Sequence, residues 1–493
     1  MAVANGNLLK EASNAALAPI RNESNYDPLR TFELPKGADK HYSQQFADMY
    51  FLRLSELKKH VMEKAHEAWD EFELGGEKAH FVERVLDVRQ GQLCWVVGTV
   101  YMELPEKPNV LADITKEHDI VAPPPRETYI SSSTTDDMML EDESGRLRVT
   151  GEPVHAHYVT GCVLAALGTE QADGTFQVIA TQYADLPEQP KRWERQDAAL
   201  EEAGEEIPKR GPAGKLAIVS GLDITGSDDK DLYLDLLVEY LTGEATGPPD
   251  QASASHITRL IIAGDSLQRG APILSREEFA EHKQNSRHYG YDATVYDPSP
   301  AQRLDTLLSD ILPTLPITLI PGVSDPANVA LPQQPLHPAL FLKSLVYSER
   351  PADGIDTIHG LDMVTNPWDG DIEGYRVLGT GGQAVADLLK YVKNVRPTEV
   401  MEMMLRWRCV APTAPDTLWC YPFQDDDPLL VKECPHLYVA GCQKKFGKKV
   451  IEGPEGQKCL VVSVPRFSVS RQVVLVDLES WEVETVRIGV VGK

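Results

Sequence analysis

Three short strings carry the residue types that could do chemistry: Ser220-Gly221-Leu222-Asp223, Gly264-Asp265-Ser266-Leu267-Gln268 and Gly322-Val323-Ser324-Asp325. Each follows an apolar run and closes it with Gly and Asp. That puts a carboxylate on a turn at the carboxyl end of a strand, where open α/β sheets place their functional loops. Carboxylates gathered in this way can hold divalent cations, and two such ions about 3.5–4 Å apart clamp a phosphate and activate water. The requirement is severe. Two doubly charged ions at 4 Å repel by roughly 17 kcal/mol at an effective dielectric of 20, and only a bridging carboxylate with a full ring of Asp, Asn and His donors offsets that. The thirteen histidines are scattered without metal-ligand spacing, and GxSxG, P-loop and HExxH motifs are absent.

At this spacing the strings resemble the calcineurin-like metallophosphoesterases, whose strand ends read Asp-x-His, Gly-Asp-x-x-Asp and Gly-Asn-His-Asp before a final Gly-His-x-His. Against that pattern most of the ligands are missing. Gly221 stands where the first Asp is expected and Asp223 where the first His is; Asp265 keeps the bridging position. Gln268 replaces the second acid, and Val323 and Ser324 replace the Asn-His pair. Gly441-Cys442-Gln443-Lys444 replaces the final motif, so Lys444 is expected to set an ammonium beside any metal, and Cys409 sits where a further His is expected. One carboxylate, a thiol and a lysine do not hold a metal pair, so no catalytic residue, metal ligand or cofactor is expected. The survivors have plainer readings. Asp265 would accept from the amides of its own loop, and Asp325 would start a turn before Pro326. Cys409 and Cys442 would be buried inert thiols, and Asp425-Asp426-Asp427 a solvated loop.

These loops need strands to carry them. KLAIVSG, ITRLIIAGD and PITLIPG read as buried strands, with helices at DLYLDLLVEYL and PAQRLDTLLSDIL between them. HLYVAG, KCLVVSVPRF, RQVVLVDLES and VETVRI are expected to complete a second sheet against the first. Residues 215–490 therefore read as a two-sheet layered α/β domain. Upstream, Phe46, Met49, Tyr50, Leu52, Leu54, Leu57, Val61 and Met62 recur at helical spacing, which predicts one amphipathic packing helix within 41–75. Residues 80–186 read as short strands with turns at Glu143-Ser144-Gly145 and Asp173-Gly174, best matched by an OB-type barrel. Residues 187–214 read as a charged linker or insertion, and 1–40 as a disordered arm.

The chain has 493 residues and a net charge of −27, with 75 acidic against 48 basic side chains. Non-specific DNA binding runs on counterion release by Lys and Arg, so a free-standing single-strand-binding protein is disfavoured; any DNA contact is expected only alongside other chains. No run reaches the ~18 apolar residues of a membrane span, and the opening residues lack the pattern of a secretory signal. Seven cysteines without CxxC fit a reducing compartment. Lys444, Lys445, Lys448 and Lys449 form the one local basic cluster, either a solvated loop or an electrostatic dock for an acidic partner or passing phosphates.

Longer strings then become informative together: PGVSDPANVALPQQPLHPALF (321–341), VTNPWDGDIEGYRVLGTGGQAVADLLKY (364–391), APTAPDTLWCYPF (411–423) and CPHLYVAGCQKKFGKKVIEGPEGQKCLVVSVPRF (434–467). With YSQQFADMYFLRL and LEDESGRLRVTG upstream, they resemble the second (small, B-type) subunits of DNA polymerase delta, from about Tyr42 to the end. That resemblance implies an OB fold joined to an inactivated phosphoesterase domain. It also implies a nuclear scaffold that binds the cysteine-rich C-terminal domain of the catalytic subunit and a third subunit, which in turn contacts the sliding clamp. Competing readings are the equivalent subunit of polymerase alpha or epsilon, whose N-terminal module is usually longer, and an active metal-dependent phosphodiesterase or nuclease.

Overall fold

A computed structural model describes residues 21–37, 46–107, 126–131, 136–151, 157–226, 231–245, 248–269, 297–348 and 360–489. The first departure from expectation is the arm. Tyr26–Pro28 forms strand β1 on the edge of a sheet more than three hundred residues away in sequence. Arg21 donates to the carbonyls of Ile257 and Leu241, both at 2.7 Å, and Phe32 is buried. An extended segment held by isolated side chains leaves no periodicity to read. Residues 1–20 and 38–45, which include the rest of the expected arm and the expected start of the helix, lie outside the described residues.

Helix α1 spans Phe46–Trp69 and buries Leu54, Leu57, Val61, Ala65 and Trp69 in one stripe. After a small hairpin, β2 (Glu73–Leu74) and β3 (Glu77–Lys78), the barrel is built from β4 (His80–Phe81), β5 (Leu93–Glu103), β6 (Asp137–Glu141), β7 (Arg146–Thr150), β8 (Val163–Glu170) and β9 (Phe176–Gln182). The strand order is β4-β5-β6-β7-β9-β8, and β5 closes it by pairing with β8 as well as β6. The unbroken apolar run of β5 follows from this closure. Leu93, Trp95 and Val97 face the α1 stripe while Cys94, Val96 and Val100 point into the barrel core, so both faces of a period-2 strand are covered. Each fully buried Leu or Val in that layer contributes roughly 1.5–3 kcal/mol.

The expected linker at 187–214 is pinned along much of its length. Gln189 donates to the Lys458 carbonyl at 2.7 Å, and Trp193 is buried against Gly374, where an added Cβ would come within 2.5 Å of the indole. Arg210 lies 3.9 Å over the same ring. Helix α2 (Glu194–Ala203), which buries none of its residues, is the part that stands free of the core.

The remainder runs β10 (Lys215–Val219), α3 (Asp231–Thr242), α4 (Pro248–Ser255), β11 (Ile257–Ala263), α5 (Ser299–Ile311), β12 (Ile317–Ile320) and β13 (Leu361–Met363). There follow β14 (Trp368–Ile372), β15 (Tyr375–Thr380), α6 (Gln383–Tyr391), α7 (Pro397–Arg406), β16 (Leu437–Gln443), β17 (Gly447–Glu452), β18 (Lys458–Pro465), α8 (Phe467–Ser470), β19 (Gln472–Asp477) and β20 (Val483–Arg487). Two sheets result, β13-β12-β11-β10-β19-β20 and β1-β14-β15-β16-β18-β17. The terminal strands therefore do not all enter the second sheet: β19 and β20 return antiparallel to the first, beside β10. Ile218, Ile261 and Ile320 of one sheet meet Val377, Val439 and Val462 of the other. Helices α3 and α5 cover the first sheet's outer face. Helices α6 and α7 cover the second, in a core continuous with that of the barrel. At that junction the Arg53 guanidinium of α1 donates to Asp427 at 2.5 Å, both side chains being buried. Asp427 is thus part of the core, not of the solvated loop expected for it.

Candidate functional site

The carboxyl ends of β10, β11, β12, β16 and β18 meet in one loop cluster. The Gly221 amide donates to the Gly264 carbonyl at 2.9 Å, Asp223 to Asp265 at 3.1 Å, and Phe467 to Ser220 at 2.7 Å. Asp223, Asp265 and Cys442 have φ of 51°, 50° and 55°. Left-handed backbone is unfavourable for side-chain-bearing residues, and such strain collects at functional sites. Glycine is required at 322, where an added Cβ would lie 2.2 Å from the Asp265 amide nitrogen.

The charge at the centre belongs to Arg466, the residue after β18. Its Nη2 and Nε donate to Asp223 at 2.5 and 3.2 Å, and its Nη1 to Asp265 at 2.7 Å. Ser468 also donates to Asp223. Burial works against the Arg466 charge, but the bonds to Asp223 and the charges of Asp223 and Asp265 outweigh it and raise its pKa. The other oxygen of Asp265 accepts from the Ser324 amide at 2.9 Å. Asp265 thus serves a neighbouring loop and a guanidinium, not the amides of its own loop as expected. That duty falls to Asp325, which accepts from Leu267 and Gly322 at 2.8 Å and from Ser266 at 3.2 Å. Its pKa is pushed up to about 6, because burial and then the Asp265 charge outweigh those three donors. Asp325 thus ties two strand-end loops together, and its carbonyl accepts from the Ala327 amide at 2.7 Å across Pro326, the turn expected there. Cys442 donates weakly to the Ala263 carbonyl at 3.7 Å, and burial with the Asp265 charge raises its thiol well above the ordinary range.

A pair of divalent ions does not fit this donor set. Asp223 and Asp265 share a guanidinium that occupies the space between them, Asp325 already accepts three amides, and Cys442 is held as a protonated thiol. Among the described residues no group of three His, Cys, Asp or Glu side chains could hold a metal ion.

Of the other expected positions only Ser324 joins the cluster. Gln268 and Val323 are exposed, and Ser324 donates its hydroxyl to the Leu267 carbonyl at 2.6 Å. Lys444 is exposed, so the cation beside the acids is Arg466 and not this lysine. Cys409 lies in the core under α1, near Arg53 and Asp427, away from the loop cluster. The four lysines do not form one patch. Lys448 and Lys449 are adjacent on β17 and point to opposite faces; Lys449 is paired with Glu402, and Lys448 reaches the Val483 carbonyl at 3.3 Å. The sequence reading missed Arg466, although it directly follows an apolar strand as the other loop residues do. It also missed the amide cluster of Gln333, Asn366 and Gln383, in which Asn366 donates to both glutamines at 2.8 Å and Gln333 reaches the Gly322 carbonyl at 3.2 Å.

Residues 216–448 match the B-subunit family of DNA polymerases alpha and epsilon, and residues 45–181 the DNA polymerase delta subunit OB-fold domain. The chain is 33% identical over 477 residues to the DNA polymerase delta small subunit of Saccharomyces cerevisiae, covering 91% of this chain and 90% of that one. It is 34% identical over 468 residues to the Arabidopsis thaliana protein of the same name, covering 94% and 96%. To the Drosophila melanogaster DNA polymerase delta subunit 2 it is 32% identical over 480 residues, covering 95% and 99%.

Proposed function

The chain belongs to the family of DNA polymerase delta small subunits, and from that premise we propose that it is a nuclear scaffold whose phosphoesterase-type loop cluster has been closed to catalysis. On this reading it holds the cysteine-rich C-terminal domain of the catalytic subunit and a third subunit, which links the assembly to the sliding clamp, in replication and repair synthesis. The observation that carries the non-catalytic half is Arg466 seated between Asp223 and Asp265. A guanidinium is always protonated and has no lone pair to ligate a metal or accept a proton. Water cannot be activated there by a cation that is not a Lewis acid. The net charge of −27 supports DNA contact only within the assembly. The barrel matching the delta OB-fold domain favours delta over alpha or epsilon.

The tests are co-expression with the catalytic subunit of polymerase delta followed by size-exclusion chromatography, and hydrolysis assays with manganese on the purified chain alone. The expected result is one-to-one co-elution and no turnover of bis-p-nitrophenyl phosphate or single-stranded DNA. Separate elution, or manganese-dependent turnover that follows the protein, overturns the proposal.

A further inference from the structure

The mouth of the closed loop cluster presents apolar side chains and cations to solvent. Val323 is 61% exposed and Val469 80% exposed, each on a loop tip beside Arg466. The Val469 amide donates to the Arg466 carbonyl at 3.2 Å. Next to Val323, the Ser324 amide reaches the same Asp265 carboxylate that Arg466 holds. Lys444, Lys445 and Arg269 are exposed around these tips. The Arg466 amide donates to the Gln443 carbonyl at 3.3 Å, which sets the two lysines alongside. The Ser324 hydroxyl donates to the Leu267 carbonyl at 2.6 Å, two residues before Arg269. Among the described residues none of these three cations has an ion-pair partner. Acidic side chains outnumber basic ones 75 to 48 in this chain, so a surface cation readily finds one. Lys59, Lys78, Arg148, Lys432 and Lys458 each sit against a carboxylate. The loop mouth gathers three cations without one.

We propose that this mouth is a docking face for an acidic segment of a partner protein in the polymerase assembly. Val323 and Val469 pack against apolar side chains of that segment, and Arg269, Lys444 and Lys445 pair with its carboxylates. An apolar centre with a charged rim is the usual anatomy of such a face. The acids inside the cluster do not compete for the cations, because Asp223 and Asp265 are held by Arg466 and Asp325 by amides. The loop tips are already fixed by backbone bonds, so little ordering is lost on docking. At physiological salt, charges are screened beyond about 8 Å, and a short segment therefore meets the three cations rather than the net charge of −27. Duplex DNA fits less well. Its charge continues past the patch onto acidic surface, and its phosphates have no use for two exposed valines. The choice of a protein partner rests on the scaffold reading above.

The test is lysine acetylation read by mass spectrometry, on the free chain and on its assembly with the catalytic and third subunits of polymerase delta. Lys444 and Lys445 should react readily in the free chain and about fivefold more slowly in the assembly. An Arg269→Glu/Lys444→Glu/Lys445→Glu variant changes only exposed side chains. It should join the assembly about tenfold more weakly at about 50 mM salt, with the gap narrowing by about 500 mM. A Val323→Ser/Val469→Ser variant should bind severalfold more weakly at both. Equal reactivity of the two lysines in the free chain and the assembly overturns the docking face, as does an affinity unchanged by the charge reversal. Protection that appears only when duplex DNA is added assigns the face to phosphates and overturns the protein partner. In these cases assembly of the unmodified chain still upholds the scaffold reading, whereas failure of that chain to assemble at all removes both.

Discussion

Arg466→Met tests the closed loop cluster most directly, because methionine keeps the aliphatic stem and removes only the charge. Deleting one partner of a buried ion pair costs about 3–5 kcal/mol. Here the Arg466 side chain is 33% exposed and those of Asp223 and Asp265 are 16% and 7% exposed, so solvent recovers part of that and about 2–3 kcal/mol is expected at pH 8. The sign with pH follows from what is left behind. Without the guanidinium the negative charge of the cluster is uncompensated, with Asp265 still beside the buried Asp325, and taking up a proton relieves that repulsion. The native variant then binds more protons than its unfolded state, and its stability rises as pH falls. The deficit against the unmodified protein should therefore shrink between pH 8 and pH 5. Asp325 is common to both proteins, so the difference isolates Arg466. Urea unfolding at the two pH values measures it, with a third series in millimolar manganese. Of the two proteins only the variant leaves Asp223 and Asp265 without their cation, and a ligand of the native state alone stabilises by RT ln(1 + [L]/Kd). A variant as stable as the parent at pH 8, with a parallel pH profile and no response to manganese, refutes the reasoning.

Three further outcomes are expected. Arg53→Met strands the Asp427 carboxylate, whose side chain has 0% exposure, and should cost about 3–5 kcal/mol in urea unfolding; a loss below about 1 kcal/mol contradicts the junction described. Asp325 has a native pKa of about 6, raised by burial, so its protonated form stabilises the fold and that contribution is lost as pH climbs from about 4 through 6. Asp325→Asn should flatten the stability profile across that window, and an unchanged slope assigns the titration elsewhere. Gly161→Ala places a Cβ 1.9 Å from the Pro412 carbonyl oxygen at a φ of +92°, so it should lose more than about 2 kcal/mol, seen as a lowered thermal midpoint; a neutral result means the barrel and the layered domain are less closely joined.

Much of the architecture was legible because burial writes itself into spacing. The α1 stripe, the two barrel hairpins and the strands that became β10, β11 and β12 all follow from period 3.6 or period 2. The pairing partners of β19 and β20 were not legible, since a strand buried on both faces looks the same in either sheet. β14 and β15 lack the apolar runs that mark buried strands: Trp368-Asp369-Gly370-Asp371-Ile372 carries two carboxylates, and Asp371 is nonetheless buried. Arg376, whose guanidinium lies near Asp369, Asp371 and Glu433, supplies the compensating charge. That is a tertiary arrangement, and nothing in the local sequence encodes it. Trp193 and Phe32 were missed for a related reason, because single aromatics can pin an irregular segment without any repeat.

The loop cluster was legible only by subtraction. Counting the positions that depart from the metallophosphoesterase pattern argues against a metal pair but does not say what balances the acids present, and a buried acid must be paired, hydrogen-bonded or protonated. The three acids here take two of these ways out. Asp265 and Asp223 share one guanidinium, while Asp325 accepts three amides and carries a raised pKa. The residue at 221 belongs to the same solution. An added Cβ there would approach the Arg466 Cβ and Cγ to 2.9 Å, and φ is +57°. On the reading that these loops descend from a metal site, Gly221 is therefore more than a missing acid, because the space an aspartate would fill is the space the arginine stem needs. Restoring that aspartate without removing Arg466 would rebuild a clash, not a ligand. An acid at 221 and the cation at 466 exclude each other sterically, and because that coupling joins two distant positions, no single position in the sequence announces it.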